Sequence, residues 1–365
     1  MTSHHGSSPT LQAAALAIEA GVPVLLWGSP GSGKSSSIAA LADVLGRHCE
    51  TVIASIREPS DFAGLPVVAD GSVTFAPPRW AENLASSDQG LLFLDEISTA
   101  PPAVQAALLR VVLERAVGDL PLPPSTSVVA AANPPEQAAD GWDLAAALAN
   151  RFCHLDWAID ATTIAEGLAA GFPPPQAPVL PANWDAIAVQ ARANVSAFLM
   201  LRPSLVSALP SDVSAAGQAW PSPRTWEMAA QLLGAARAAQ AAESVVAMLV
   251  TGCVGTAAGM EFLGWLQDID VPDPEFLLAA PADAVIPERG DLAWAVLTAV
   301  AAAVAARPTP ERWAAGWQIL GKAAETAPDV GAMAARVLAK CRPDGAETPA
   351  AAAAFLPVLR SAGLV

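Results

Sequence analysis

The sequence predicts a parallel α/β domain followed by an all-helical region. Three observations predict it. Compact apolar runs at residues 22–27, 51–56, 91–94 and 127–132 alternate with helical stretches, the pattern of strands buried on both faces of a parallel sheet. A glycine-rich loop joins the first of these runs to a helix. After Trp157 strand signals stop and helical periodicity takes over.

Residues 11–20 are a short Ala-rich helix closed by Gly21. The run at 22–27 leads directly into Gly28-Ser29-Pro30-Gly31-Ser32-Gly33-Lys34-Ser35, which fits G-x-x-x-x-G-K-[ST] in the required setting of strand, loop and helix. Glycines there let backbone N–H groups turn inward around phosphate oxygens, and a helix beginning near Lys34 adds its positive dipole end to the same anion. The segment through Ser36 is therefore the candidate nucleotide-binding loop. Lys34 is expected to reach the β and γ phosphates and Ser35 to ligate Mg²⁺. A plain Gly/Ser turn is the alternative reading.

Sixty-one residues after Lys34 the run Leu91-Leu92-Phe93-Leu94 ends in Asp95-Glu96. Two carboxylates then emerge at the C-terminal edge of the sheet, where ligands bind in such folds. Behind a phosphate loop, the Asp is expected to hold the Mg²⁺ shell and the Glu to polarise a water for attack on the γ phosphate. The run at 127–132 ends in Asn133-Pro134-Pro135; an amide there could hold the water or the phosphate, although Asn before Pro is also ordinary turn chemistry.

Residues 1–157 thus form the expected nucleotide-binding domain and 158–181 a linker, with five prolines in the eleven residues 171–181. Helices are expected from Trp184 onward, including 224–240, 244–267, 292–306 and 310–325, with a Pro-containing break at 271–287. Residues 182–270 read as a helical lid and 271–365 as a further helical extension. The lid helix opens at Pro221-Ser222-Pro223-Arg224. An Arg in a first turn opposes the helix dipole, so a nearby anion accounts for it better than solvent does.

Composition narrows the function. The 365 residues carry 19 Lys and Arg against 35 Asp and Glu, a net charge of −16, with no basic run. That balance argues against a nucleic-acid partner. The longest uncharged apolar stretches, 244–260 and 292–306, are short for a membrane span and rich in Ala, Gly and Thr. Cys49, Cys153, Cys253 and Cys341 form no CxxC pair and read as buried thiols of a reducing compartment. Met1 to Thr10 lacks a basic export region, so a cytoplasmic protein is expected.

In combination these motifs resemble those of an AAA+ ATPase, and the segments between them are most similar to the MoxR branch. Those segments are Glu58-Pro59-Ser60-Asp61-Phe62-Ala63-Gly64, Phe93-Leu94-Asp95-Glu96-Ile97 with Ala100-Pro101-Pro102 and Gln105-Ala106-Ala107-Leu108-Leu109, Asn133-Pro134, and Asn150-Arg151-Phe152. The resemblance covers about residues 10–250. It implies that Asp95 is the metal-shell acid, Glu96 the general base and Asn133 the sensor of the γ phosphate. It implies that Arg151 is an arginine finger on a neighbouring subunit's ATP, with Arg110 and Arg115 as rivals. Arg224 matches the position where a lid arginine touches the nucleotide, in cis or in trans.

Val73-Thr74-Phe75 and Trp80 fall where that branch carries an insert, and residues 118–124 where it carries a hairpin; both would project into a ring's pore or face. The resemblance further implies ATP and Mg²⁺ as cofactors, a homo-oligomeric ring, hexameric by family likeness, and a protein client such as a von Willebrand A domain protein. Two other functions remain: a DNA-translocating AAA+ motor, and a nucleotide-dependent scaffold with little turnover. The tryptophans at 265, 294, 313 and 317 are at helical spacing and read as core.

Overall fold

The computed structural model describes residues 8–365 except 70, 135, 136, 138–141, 159, 183, 270, 271, 325–327, 362 and 365. The chain opens with α1 (Pro9–Glu19), capped by Ser8, whose hydroxyl accepts from the Leu11 amide. There follow β1 (Val24–Trp27), α2 (Lys34–Val44), β2 (His48–Ile53), α3 (Ser60–Ala63), β3 (Leu65–Ala69), β4 (Ser72–Ala76), α4 (Arg79–Ala85) and β5 (Gly90–Asp95). Then come α5 (Pro102–Glu114), β6 (Ala116–Val117), β7 (Leu120–Pro121), β8 (Ser127–Ala132), α6 (Ala146–Ala149), β9 (Cys153–Asp156) and α7 (Ala161–Ala170).

Five strands form one sheet in the order β2-β5-β8-β1-β9, and every paired strand is parallel. β1 lies between β8 and β9, so the connections leaving it diverge and open a crevice at its C-terminal end. Leu25, Leu92, Leu94, Val128 and Ala130 pack on one face against Trp80, Leu84, Val104 and Leu108 of α4 and α5. The opposite face is covered in part by α1, which meets β1, β8 and β9.

The four expected strands are present. The run at 51–56 pairs only as far as Ile53 and then turns through one 3₁₀ turn, Ala54–Ile56. β9 was not expected: it is four residues with a His and an Asp, and its pairing with β1 makes it a strand. Residues 158–181, read as a linker, include α7, which begins at the Asp160 cap.

β3 and β4 form an antiparallel hairpin outside the main sheet, with Leu65, Val67, Val68, Val73 and Phe75 exposed. It is clasped to the β6–β7 hairpin, because the Phe75 amide donates to Asp119 Oδ2 at 2.8 Å. Gly118 is required there: at φ 58° its backbone lies so close that a Cβ would sit 2.7 Å from the Phe75 carbonyl. Trp80, expected to project with this insert, is instead buried against Phe62, centroid to centroid 6.1 Å.

The remaining chain is helical, with α8 (Trp184–Leu201), α9 (Val213–Ala216), α10 (Pro223–Ala238), α11 (Glu243–Val254), α12 (Thr256–Gln267), α13 (Pro274–Ala279), α14 (Gly290–Ala306), α15 (Pro310–Ala324), α16 (Pro328–Lys340) and α17 (Leu356–Ser361). The single helix expected at 244–267 is two, broken at Gly255, where φ is 82° and a Cβ would meet the Ala219 carbonyl at 2.8 Å.

Contacts divide the chain into two compact units, Met1–Pro181 with Ser207–Gly259, and Ala182–Val206 with Met260–Val365. The expected boundary at 182 coincides with a division between the units, whereas the one at 270 falls at 260, and the expected lid, 182–270, is shared between the two units. In the first unit α10 and α11 pack on α1, and α11 also meets β9. In the second, α14 is apolar around most of its circumference and is covered by α8 on one side and by α15 and α16 on others, which draws α8 out of the lid.

Trp313 and Trp317 fill the core of the second unit, with the Trp313 indole donating to Leu338 O at 2.7 Å; Trp265 and Trp294 are half-buried. All four cysteines are free thiols; Cys153 and Cys253 are buried, while Cys49 and Cys341 are only half-buried. Among the described residues no helix is long and apolar enough to cross a membrane.

Candidate nucleotide site

The loop between β1 and α2 carries its strain on glycine. Gly31 and Gly33 adopt φ of 73° and 86°, in the left-handed region open to glycine, and Gly33 starts α2 with no side-chain cap. Gly28 is required for a different reason: Trp157, the residue after β9, lies over it, and a Cβ would be 2.8 Å from the Trp157 Cβ. The Trp157 indole also donates to Ser32 O at 3.0 Å, and Ser32 Oγ donates to Ser29 O at 2.6 Å. Pro30 and Ser36 lie in the same segment, with Ser36 Oγ donating to Gly33 O at 3.0 Å.

Lys34 is only 7% exposed. Its ammonium donates to Gly28 O at 2.6 Å, Ser29 O at 3.0 Å and Asn133 Oδ1 at 3.4 Å. Burial lowers its pKa, and the charge of Asp95 works in the opposite direction. Ser35 Oγ donates to Asp95 Oδ2 at 2.7 Å, so two hard oxygen ligands from α2 and β5 meet at one point. The loop, Lys34, Asp95 and Asn133 are thus brought together from β1, α2, β5 and β8.

Glu96 has φ 56° and ψ 40°, a left-handed conformation unusual for this residue type. Its amide donates to Asp95 Oδ1 at 2.9 Å, its carbonyl accepts from Thr99 Oγ1 at 3.0 Å and from the Thr99 amide at 3.2 Å, and its carboxylate accepts from Ser55 Oγ at 2.5 Å. The Asn133 amide donates to Ser98 Oγ at 3.2 Å.

Ser55, Ser98 and Trp157 escaped the sequence reading. Ser98 lies two residues past Glu96 and could have been sought there. Ser55 and Trp157 reach the site through β2 and β9, and no local pattern marks them.

Of the three arginines weighed as fingers, Arg115 is bound to its own domain. Its guanidinium donates to Pro124 O at 2.6 Å, to Gly21 O at 3.2 Å and to Thr126 O. Arg110 is half-exposed and pairs with Glu114 at 3.0 Å. Arg151 donates to Ala147 O, and its Nε is buried without a partner. Arg224 stands in the first turn of α10 and donates to Asn150 Oδ1 at 3.4 Å.

A five-stranded parallel sheet with a phosphate loop after its inner strand β1 and an acidic pair at the end of β5 has the AAA+ α/β fold. Residues 2–137 match the family model of the sigma-54 interaction domain. The chain is 33% identical over 104 residues to "Pathogenicity locus probable regulatory protein HrpS" of Pseudomonas syringae pv. syringae, covering 27% of this chain and 33% of that protein. It is 32% identical over 123 residues to the Psp operon transcriptional activator of Escherichia coli (strain K12), covering 30% and 37%.

The chain therefore spans about a third of the length of the curated relatives it matches. Among solved structures, a candidate ATPase of Cytophaga hutchinsonii superposes with a TM-score of 0.43 at 18% identity, over 71% of this chain and 88% of the other.

Proposed function

We propose that the protein hydrolyses ATP with Mg²⁺ and uses the cycle to remodel a partner protein, in the manner of MoxR-type AAA+ ATPases. The observation that carries the ATPase part is the meeting of Lys34, Ser35, Asp95 and Asn133 at one sheet edge, beside a Glu96 held in a strained turn. In this reading Lys34 neutralises the β and γ phosphates, and the backbone N–H groups of residues 31–36 in the loop receive their oxygens. Ser35 and Asp95 hold Mg²⁺, which supplies charge stabilisation at the phosphoryl group when bound. Glu96 orients and deprotonates a water, Asn133 senses the γ phosphate, and Arg151 and Arg224 supply cations.

The exposed apolar hairpin β3–β4, clasped by β6–β7, supports contact with a protein client. A homo-oligomeric ring in the cytoplasm, with a von Willebrand A domain protein as client, belongs to the same proposal. A second reading is favoured by the sigma-54 interaction domain match and by one relative named as a regulatory protein and another as a transcriptional activator: a client within the transcription apparatus.

The acidic balance weighs against a DNA-translocating motor, and the glutamate at 96 weighs against a scaffold with little turnover. Steady-state phosphate release from Mg-ATP tests the core of the proposal. Turnover abolished by Lys34→Ala and by Glu96→Gln is expected; turnover unaffected by both would defeat it.

A further inference from the structure

We propose that Asn150 is a positioning residue whose neutral amide fixes Arg224 at the start of α10 while leaving that guanidinium's charge free for a phosphate. The inference rests on the ATPase reading above. Asn150 is 4% exposed, and its side chain is shared among three groups at the entry to α10. Its Oδ1 accepts from Ser222 Oγ at 2.8 Å and from Arg224 at 3.4 Å, and its Nδ2 donates to Trp220 O at 3.4 Å. Ser222 is itself the cap of α10. Its hydroxyl accepts from the Thr225 amide at 3.2 Å while Thr225 Oγ1 accepts from the Ser222 amide at 2.8 Å, a reciprocal capping box. The turn that bears Arg224 is thereby hung on one side chain of the segment between α6 and β9.

The choice of amide over acid has a chemical consequence. Arg151 follows Asn150 directly, and the Arg224 charge, second to burial, lowers the Arg151 pKa. Among the described residues neither arginine is in an ion pair with a carboxylate. Arg151 is half-buried and Arg224 exposed, and their like charges repel, so an anion binding near both relieves that repulsion. An aspartate at 150 would hold Arg224 as firmly but would cancel its charge. An asparagine orients by its carbonyl dipole and leaves the charge for the ligand.

The test is a double-mutant cycle of Asn150→Ala and Arg224→Ala, read as steady-state phosphate release and as ATP and ADP affinity from fluorescent-nucleotide titration. Asn150→Ala is expected to lower turnover about tenfold, the scale of a lost hydrogen bond to a charged group. Its ADP affinity should stay within about twofold of the parent. In the Arg224→Ala background the same change should cost nothing further, because Asn150 acts through Arg224.

Asn150→Asp, which keeps the shape and the accepting Oδ1 but replaces the Nδ2 donor to Trp220 O with a charged acceptor, should weaken ATP binding more than ADP binding. Additive losses around the cycle, or Asn150→Asp matching the parent's ATP-to-ADP preference, would overturn the assignment while leaving the ATPase reading intact. A parent that neither binds nor hydrolyses ATP would overturn both.

Discussion

Glu96 combines a proposed chemical duty with a backbone conformation that its side chain disfavours. A left-handed residue with a Cβ costs roughly 1–2 kcal/mol, a cost that glycine escapes. Glu96→Gly should therefore be more stable than Glu96→Ala by about 1 kcal/mol in urea unfolding, although both lose the carboxylate. Equal stabilities would mean that the turn relaxes. Glu96→Gln keeps the shape and should bind ATP normally while turnover falls by roughly 10² to 10⁴. Lys34→Ala removes the principal side-chain counter-charge of the β and γ phosphates, so fluorescent ATP should no longer bind.

At this scale the sequence is most informative where the chemistry is contiguous. The loop from Gly28 to Ser36 and the Asp95-Glu96 pair each declare themselves within a few residues, and the structure places them at one edge. Ser55 and Trp157 do not, because their contacts with Glu96 and Gly28 are made across the sheet, by residues 41 and 129 positions away along the chain.

At the scale of elements, β9 shows what a short polar strand conceals. His154 on this strand is buried between neighbours: its Nδ1 accepts from the Trp27 indole at 2.9 Å, its Nε2 donates to Ala149 O at 2.9 Å, and its ring stacks on Trp27. Burial lowers its pKa from 6.5 to about 4, against a smaller opposing effect of the Ala149 carbonyl. The neutral form is the folded form. The unfolded chain therefore takes up a proton below pH 6.5 that the folded protein refuses until about pH 4.

The stability contributed by the neutral imidazole is complete above 6.5 and is lost as pH falls through that window. By pH 5 the loss should be about 2 kcal/mol. Denaturant unfolding at pH 7 and pH 5 should show that much more acid sensitivity in the parent than in His154→Gln; equal sensitivity would place the imidazole in water. Through His154 these two bonds tie β1, just before the phosphate loop, to the last residue of α6, two residues before Arg151. Neither this tie nor the division of the expected lid between two units was legible, since both depend on which helix finds which face and not on the helix periods themselves.

At the scale of the whole molecule, the proposed site needs a cation opposite the γ phosphate, and the described residues bonded to Lys34, which are Gly28, Ser29 and Asn133, carry no charge. Supplying an arginine from a neighbouring subunit is worth roughly 10³ to 10⁵ in rate, because charge spreads onto the γ oxygens in the transition state. Arg115 is committed to carbonyls of its own domain and Arg110 to Glu114, which leaves Arg151 as the stronger of the proposed fingers. Its Nε is buried with no partner, and its environment depresses its pKa through burial and the Arg224 charge, so an incoming phosphate would meet a cation that gains by the encounter.

An Arg151→Ala protein should then bind ATP as the parent does but barely turn it over, and turnover of the parent should rise with protein concentration as subunits meet. Mixing Arg151→Ala with Lys34→Ala, each inactive alone, should restore part of the phosphate release, because some boundaries then set an intact loop against an intact finger. Full activity of Arg151→Ala by itself, or turnover independent of concentration in a species that stays monomeric with ATP by light scattering, would show that each chain works alone and that its cation comes from elsewhere in its own fold.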